Sequence, residues 1–252
     1  MITVTLIGAG NVAQHLYKAF STAEEVTVIQ WFNRSLEHLQ IHKNDAEITD
    51  NLSSLKNADV YIIAISDDAV ADLSEHLSFE DRLIVHTSGS VNLHHLDRKN
   101  RRGVFYPLQT FSKDAELSFN DVPICIEVEH KADYNILKEL ASNIGSDFYR
   151  VNSDQRAALH LAAVFVNNFT NQLYRVAHEI TESQSVDFNI LKPLIKETAK
   201  KIETLSPYIA QTGPAKRNDK KTIKKHLKIL DKDIHKDIYE LLTKAIKETH
   251  GI

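Results

Sequence analysis

The spacing of apolar residues changes character near the middle of the chain. Up to about residue 152, short apolar runs of strand length alternate with helical or turn-rich stretches. The runs are residues 2–7, 27–32, 60–65, 83–86, 103–106, 123–128 and a last short one at 148–151. Helical spacing follows the first run (Val12, Leu16, Ala19, Phe20) and recurs over 67–77, with Asp67 as the expected N-cap. Alternation of this kind predicts an α/β fold. A doubly wound, Rossmann-type parallel sheet with helices on both faces should occupy residues 1–152.

Beyond residue 152 only helical spacing remains, so residues 153–252 should form an all-helical domain. One long helix is expected over 154–183, capped by Asp154 and presenting Leu159, Ala163, Val166, Phe169 and Leu173 on one face. Others are expected over 188–205, with Pro193 bending or delaying the start, and over 220–230 and 233–249. The apolar surface of the long helix exceeds what a small helical domain covers, which points to a homodimer through this domain.

The first run ends in Gly8-Ala-Gly10-Asn11-Val12-Ala13 and passes into the first helix without a linker. This matches G-x-G-x-x-G/A in its required strand–turn–helix context. Gly8 allows the tight turn, Gly10 lets backbone approach a pyrophosphate, and a small Ala13 lets helix and strand pack closely. The helix N-terminus, with the amides of Asn11 and Val12, offers unpaired N–H groups to an anion. A dinucleotide is therefore expected here.

The end of the second run selects the dinucleotide. An NAD site usually places an acid there, about twenty residues beyond the glycines, whereas an arginine accommodates the 2′-phosphate of NADP. This corner carries Asn33, Arg34 and Ser35 and no acid. Arg34 can pair with phosphate and its neighbours can add hydrogen bonds, so NADP is favoured.

The 252 residues are 42% hydrophobic and 25% charged, with a net charge of −4, which gives no general argument for nucleic acid or a membrane. No apolar stretch approaches the ~20 residues of a membrane helix, and the chain enters a strand at once, so a cytoplasmic protein without a signal peptide is expected. The single cysteine, Cys125, excludes an internal disulfide and reads as a small buried residue. The histidines, His94-His95 included, show no metal-ligand spacing, so no metal is expected.

Ligands of such sheets bind beyond the carboxyl ends of the strands. That rule selects Gly8, Asn33, Ser66, Asp67, the segment His86-Thr-Ser88-Gly89 and the segment Tyr106-Pro-Leu-Gln109. Ser66 and Asp67 are assigned to the cofactor, and Ser88, Gly89 and Gln109 to a small-molecule substrate. His86 can donate a proton to a carbonyl or imine, or else hold its loop through one ring nitrogen. His160 shares a helix face with Asn167 or Asn168, and a polar stripe there suits a cleft better than a core. Arg217, beside Gly213 and Pro214, can take a carboxylate or phosphate, or lock to Asp219.

A dinucleotide domain followed by a helical one resembles the superfamily of β-hydroxyacid dehydrogenases, 6-phosphogluconate dehydrogenase, ketopantoate reductase, pyrroline-5-carboxylate reductase and deazaflavin-dependent NADP reductases. Three segments narrow the resemblance: Tyr106 to Ser112 (Tyr-Pro-Leu-Gln-Thr-Phe-Ser), Asp154 to His160 with Asn167-Asn168, and Thr212 to Asp219 (Thr-Gly-Pro-Ala-Lys-Arg-Asn-Asp). These look like an uncharacterised bacterial family of Rossmann-like plus helical-domain NADP oxidoreductases. In that family's pattern a histidine often stands where this chain has Tyr106, which argues against a catalytic group at that position. β-Hydroxyacid dehydrogenases place a catalytic lysine four residues before an asparagine on the corresponding helix. Ala163 and Val164 occupy those positions here, so the lysine mechanism does not carry over.

The expected function is hydride transfer between NADP and a small carbonyl, hydroxy or imine compound, with His86 or His160 as proton donor. Two other readings stay open at this point: a non-catalytic NADP-binding regulator or scaffold, and a reductase of a second redox cofactor such as a deazaflavin.

Overall fold

β-Branched and aliphatic residues at alternating positions set which face of each strand meets which layer. In β1 (Ile2–Ile7) Val4 and Leu6 enter one core, while Ile7 enters another on the opposite face. β4 (Val60–Ile63) divides likewise, with Val60 and Ile62 against Tyr61 and Ile63. A sheet buried on both faces needs this double supply of apolar side chains. The computed structural model describes residues 1–113 and 115–252.

Eight strands form one sheet in the order β3-β2-β1-β4-β5-β6-β7-β8. The others are β2 (Val26–Phe32), β3 (Glu47–Thr49), β5 (Leu83–His86), β6 (Arg101–Pro107), β7 (Ile124–Val128) and β8 (Phe148–Arg150). The Rossmann-type architecture is as expected, with two corrections. β3 is too short and polar to leave an apolar run. β7 pairs antiparallel to β6, Tyr106 opposite Cys125, and β8 runs parallel to β7, so the sheet is mixed at that edge. Cys125 is buried and free.

The helices in this part are α1 (Asn11–Thr22), α2 (Val70–Glu75) and α3 (Tyr134–Asn143). A 3-10 turn at Asp67–Ala69 precedes α2, and Asp67 caps nothing. Its carboxylate instead accepts the Ser90 hydroxyl. The next helix, α4 (Ser153–Ala163), starts one residue before Asp154. Asn152 caps it through Gln155 in a reciprocal box, displacing Asp154 from the expected role. The long helix is interrupted by a π-helical stretch, Val164–Phe169, before α5 (Thr170–Ser183).

The chain divides into two compact units, Met1–Asn167 and Asn168–Ile252. Element type alone places a boundary at 152/153. α4 nonetheless belongs to the first unit, because Arg156 is buried in an ion pair with Glu127 of β7 and His160 meets Tyr106 of β6.

The second unit continues from α5 through α6 (Lys192–Lys201), α7 (Pro207–Ala210), α8 (Lys220–Ile229) and α9 (Asp233–Thr249). A 3-10 turn at Phe188–Leu191 precedes α6, with Pro193 in its first turn. Glu179 of α5 ties to the segment opening α9: Lys232 donates to it at 2.6 Å and His235 lies 3.4 Å away. Lys232 holds the Glu179 carboxyl below its usual range.

Candidate active site

Gly8 is fixed as glycine twice over. Its φ is +112°, and a Cβ would stand 2.2 Å from the Ala64 carbonyl oxygen. Trp31 also donates its indole N–H to the Gly8 carbonyl at 2.6 Å, so β2 clamps the turn from beneath. Gly10 is different. It is exposed, extended at φ −72°, and a Cβ there would meet nothing within 4 Å. Nothing among the described residues requires glycine at that position; the open space above it is what an approaching phosphate needs. Gly10 also caps α1 without a side-chain bond, which leaves the first amides of the helix without an internal acceptor. The strand, glycines and helix N-terminus thus fit a dinucleotide pyrophosphate.

The side chain of Asn11 is engaged elsewhere, donating to the Phe111 carbonyl at 2.9 Å. His15 bonds the Ser112 carbonyl at 2.9 Å, so the segment after β6 is strapped along α1. Asn11 can serve a phosphate through its amide only, as can Val12.

At the end of β2, the Asn33 side-chain amide donates to the Ser35 carbonyl at 2.8 Å and shapes the turn. Arg34 is exposed, and no hydrogen bond or ion pair occupies its guanidinium among the described residues. Ser66 is exposed just beyond β4, while the Asp67 carboxylate is already in use on Ser90.

His86 is fully buried at the end of β5. Its Nδ1 accepts the Ser88 amide at 3.2 Å, and its Nε2 has no partner among the described residues. Desolvation first, and then the charge of Arg156, push its pKa down to about 3. The ring is therefore neutral at physiological pH and sealed from any ligand. This corrects the expectation of a proton donor and leaves the loop-holding role. Ser88 is likewise internal: its Oγ accepts the amides of Ser90 at 3.1 Å and Val91 at 3.0 Å. That turn occupies the hydroxyl expected to meet substrate.

Gly89 lies directly under His160. A Cβ there would stand 2.6 Å from His160 Nδ1 and 2.8 Å from Tyr106 Cζ. Tyr106 Oη lies 3.2 Å from His160 Nδ1, and the rings meet edge to face. The phenol is 8% exposed, and burial pushes its pKa up to about 12, so it stays protonated. His160 is exposed, with Nε2 facing away from the bonded Nδ1. The pair joins β6 to α4 over the β5 exit.

Two more groups build this corner. Arg156, one helical turn before His160 and 0% exposed, pairs through Nη1 with Glu127. Its Nη2 donates to the Val91 carbonyl at 2.5 Å and to Ser153 Oγ at 3.3 Å. Gln109 is exposed, its side-chain oxygen accepting the Thr110 amide at 2.9 Å. Asn167 is exposed on the π-helical stretch that ends the first unit.

Asn168 and Arg217 belong to the second unit, and both are exposed. Gly213 has φ +106° and Asn218 φ +52°, which makes this loop a tight, specific turn. Asp219 caps α8 by accepting the Thr222 amide at 3.0 Å, in place of the Arg217 lock considered above.

Sequence reasoning placed Tyr106 at a strand exit but argued against a catalytic group there, and it passed over Arg156 and Glu127. The signal for the last two was present: a lone acid inside the apolar strand Ile124–Val128, and an arginine four residues before a histidine.

Comparison with known proteins fits this construction. Residues 3–89 match the family described as "NADP oxidoreductase coenzyme F420-dependent", and residues 122–246 match a domain of unknown function. A Bacteroides fragilis protein, described as a candidate NADP oxidoreductase, is 38% identical over 98% of both chains, with a TM-score of 0.86. The chain belongs to this family. A Thermotoga maritima protein shares the fold at 20% identity over 98% of both chains, TM-score 0.75. So does a reductive aminase of Aspergillus terreus solved with NADPH and ethyl levulinate. That match is 13% identical over 100% of this chain and 95% of the other, TM-score 0.75. No curated protein matches the sequence. Among the described residues, no helix is long and apolar enough to cross a membrane, and no group of three His, Cys, Asp or Glu is placed to hold a metal ion.

Proposed function

We propose that the protein is an NADP-dependent reductase that acts on a small carbonyl or imine compound, or oxidises the corresponding hydroxy compound in reverse. The observation that carries this reading is the Tyr106–His160 pair, held over Gly89 at the same sheet edge as the glycine turn. The nicotinamide, when bound, supplies the hydride. Gly8, Gly10 and the first amides of α1 would hold the pyrophosphate, and Arg34 the 2′-phosphate.

The protein's own contribution is the proton. As imidazolium, His160 donates Nδ1–H to Tyr106 Oη and presents Nε2–H to the substrate oxygen or nitrogen. Once that proton has left, the neutral ring keeps its remaining hydrogen on Nδ1 and goes on donating it to Tyr106 Oη. The phenol oxygen thus accepts in both states and fixes which ring nitrogen faces the substrate. Gln109 and Asn167, both exposed in the first unit, are proposed to orient the substrate.

The first test is calorimetric titration of NADPH and NADH into wild type and Arg34→Ala. NADPH should bind more tightly than NADH and weaken about ten- to hundredfold in the variant, as for loss of a charge-assisted pair. NADPH oxidation across a carbonyl and imine panel should then be lost in His160→Gln with nucleotide binding intact. Binding of neither nucleotide would end the proposal.

We also propose a homodimer through the helical part. What supports it is apolar exposure along that part: Leu161 is 60% exposed, Val166 73%, Ile190 69%, Leu194 61% and Leu241 67%. Monomers rarely leave so many large apolar side chains uncovered. Light scattering at micromolar concentration should give twice the 28.6 kDa chain mass; a monomer would refute it.

A further inference from the structure

The most deeply buried charge in the first unit takes no part in the chemistry proposed above. Arg156 reaches three elements at once: α4, on which it stands, β7 through Glu127, and the loop after β5 through the Val91 carbonyl. Two of them, α4 and that loop, meet again at His160, and β7 pairs with β6, which carries Tyr106. Val91 follows Gly89 by two residues, and Gly89 lies beneath the His160 ring. Glu127 is paired with Val104, two residues before Tyr106 and on the same face of β6. His160 follows Arg156 by one turn and shares its side of α4.

We propose that Arg156 is a positioning residue for His160: by fastening α4 to Glu127 and to the Val91 carbonyl, it sets the Tyr106–His160 bond over Gly89. The inference rests on His160 being the group that faces substrate. A buried ion pair is a poor source of stability, since desolvation cancels most of the attraction. What it does supply is direction. A planar guanidinium with two nitrogens committed to two different partners admits few arrangements, and a lysine cannot reproduce them. The fixed charge also contributes to keeping His86 neutral beneath the loop, which preserves the Nδ1 acceptor for the Ser88 amide. Both effects hold the loop in one shape. In proton transfer, a displacement of about 1 Å can cost on the order of a hundredfold in rate.

The experiment compares wild type, Arg156→Lys and Glu127→Gln. Nuclear Overhauser contacts between the Tyr106 and His160 rings read the geometry directly in the protein without substrate. Calorimetry reads NADPH affinity, and steady-state kinetics separates kcat from KM. Arg156→Lys should lose the ring–ring contact and about ten- to hundredfold in kcat, with NADPH affinity within about twofold of wild type. If Arg156→Lys fails to fold, Glu127→Gln, which keeps the volume and removes the paired charge, reads the same signals. Persistence of the wild-type ring contact in a folded variant overturns the inference. The reading of His160 itself fails differently: His160→Gln would then turn over as fast as wild type, while the ring contacts in the Arg156 and Glu127 variants would still answer the positioning question.

Discussion

Gly8 and Gly89 stand at the same edge of the sheet, two strands apart, and are glycine for different reasons. At Gly8 the constraint is backbone: a left-handed φ and a carbonyl 2.2 Å from any Cβ. At Gly89 the obstacles are two side chains, His160 and Tyr106, drawn from parts of the chain 71 and 17 residues away (160 − 89 and 106 − 89). The residues of the cofactor turn lie together in the chain, within β1 and the start of α1, with the ends of β2 and β4 packed against them. The His160 corner is a meeting of four segments, β5, β6, β7 and α4, held by a buried ion pair. A local object tolerates change elsewhere and fails outright when its own residues change. An assembled corner should fail in graded fashion, by displacement.

The largest expected effect is therefore at Gly8. Gly8→Ala must adopt a strained φ and push back Ala64, and it should cost more than ~3 kcal/mol in stability, or abolish folding, by denaturant titration. A stable Gly8→Ala protein would show that the turn relaxes and is less local than argued.

His86 gives the next effect, on the assembled side. Its pKa is about 3 in the folded state against 6.5 for the free group. A depressed histidine favours the neutral form in the fold. Its contribution to stability is therefore complete above about pH 6.5 and is lost progressively as the pH falls toward 3. By pH 4 the loss amounts to roughly 3 kcal/mol. Thermal melts of wild type should fall more steeply from pH 7 to pH 4 than those of His86→Asn, which keeps an acceptor for the Ser88 amide and cannot be charged. Parallel curves would mean that the histidine is hydrated in solution.

Gly10 separates binding from folding. Gly10→Ala fills empty space at an ordinary φ, so stability should stay within about 0.5 kcal/mol of wild type. NADPH affinity should nonetheless fall at least about tenfold, because the added methyl group occupies the path of the pyrophosphate. Unchanged affinity would place the phosphates elsewhere.

The same contrast explains what could be read in the amino-acid order. The glycine turn, all strands except β3, and α9 to its last residue follow from periodicity and short motifs, because the forces that build them act within a few residues. The antiparallel placement of β7 left no trace in its apolar run, which is identical for either direction. Asp67 and Asp154 are sound N-cap candidates by type, yet the fold assigns those positions to Ser66 and Asn152 and uses Asp67 on Ser90. His86 and His160 are equal in sequence as proton donors. Only tertiary burial divides them, sealing one under a loop and leaving the other exposed beside a phenol.

That division yields the smallest and most discriminating effect. Tyr106 is protonated to about pH 12 and His86 is neutral down to about pH 3, so neither titrates across the neutral range. His160→Gln should therefore abolish turnover across that range, whereas Tyr106→Phe, which removes the hydrogen-bond partner of the imidazole and not the imidazole itself, should lower kcat no more than about tenfold. Loss of turnover in Tyr106→Phe as complete as in His160→Gln would move the proton donor from the imidazole to the phenol and leave His160 as its partner.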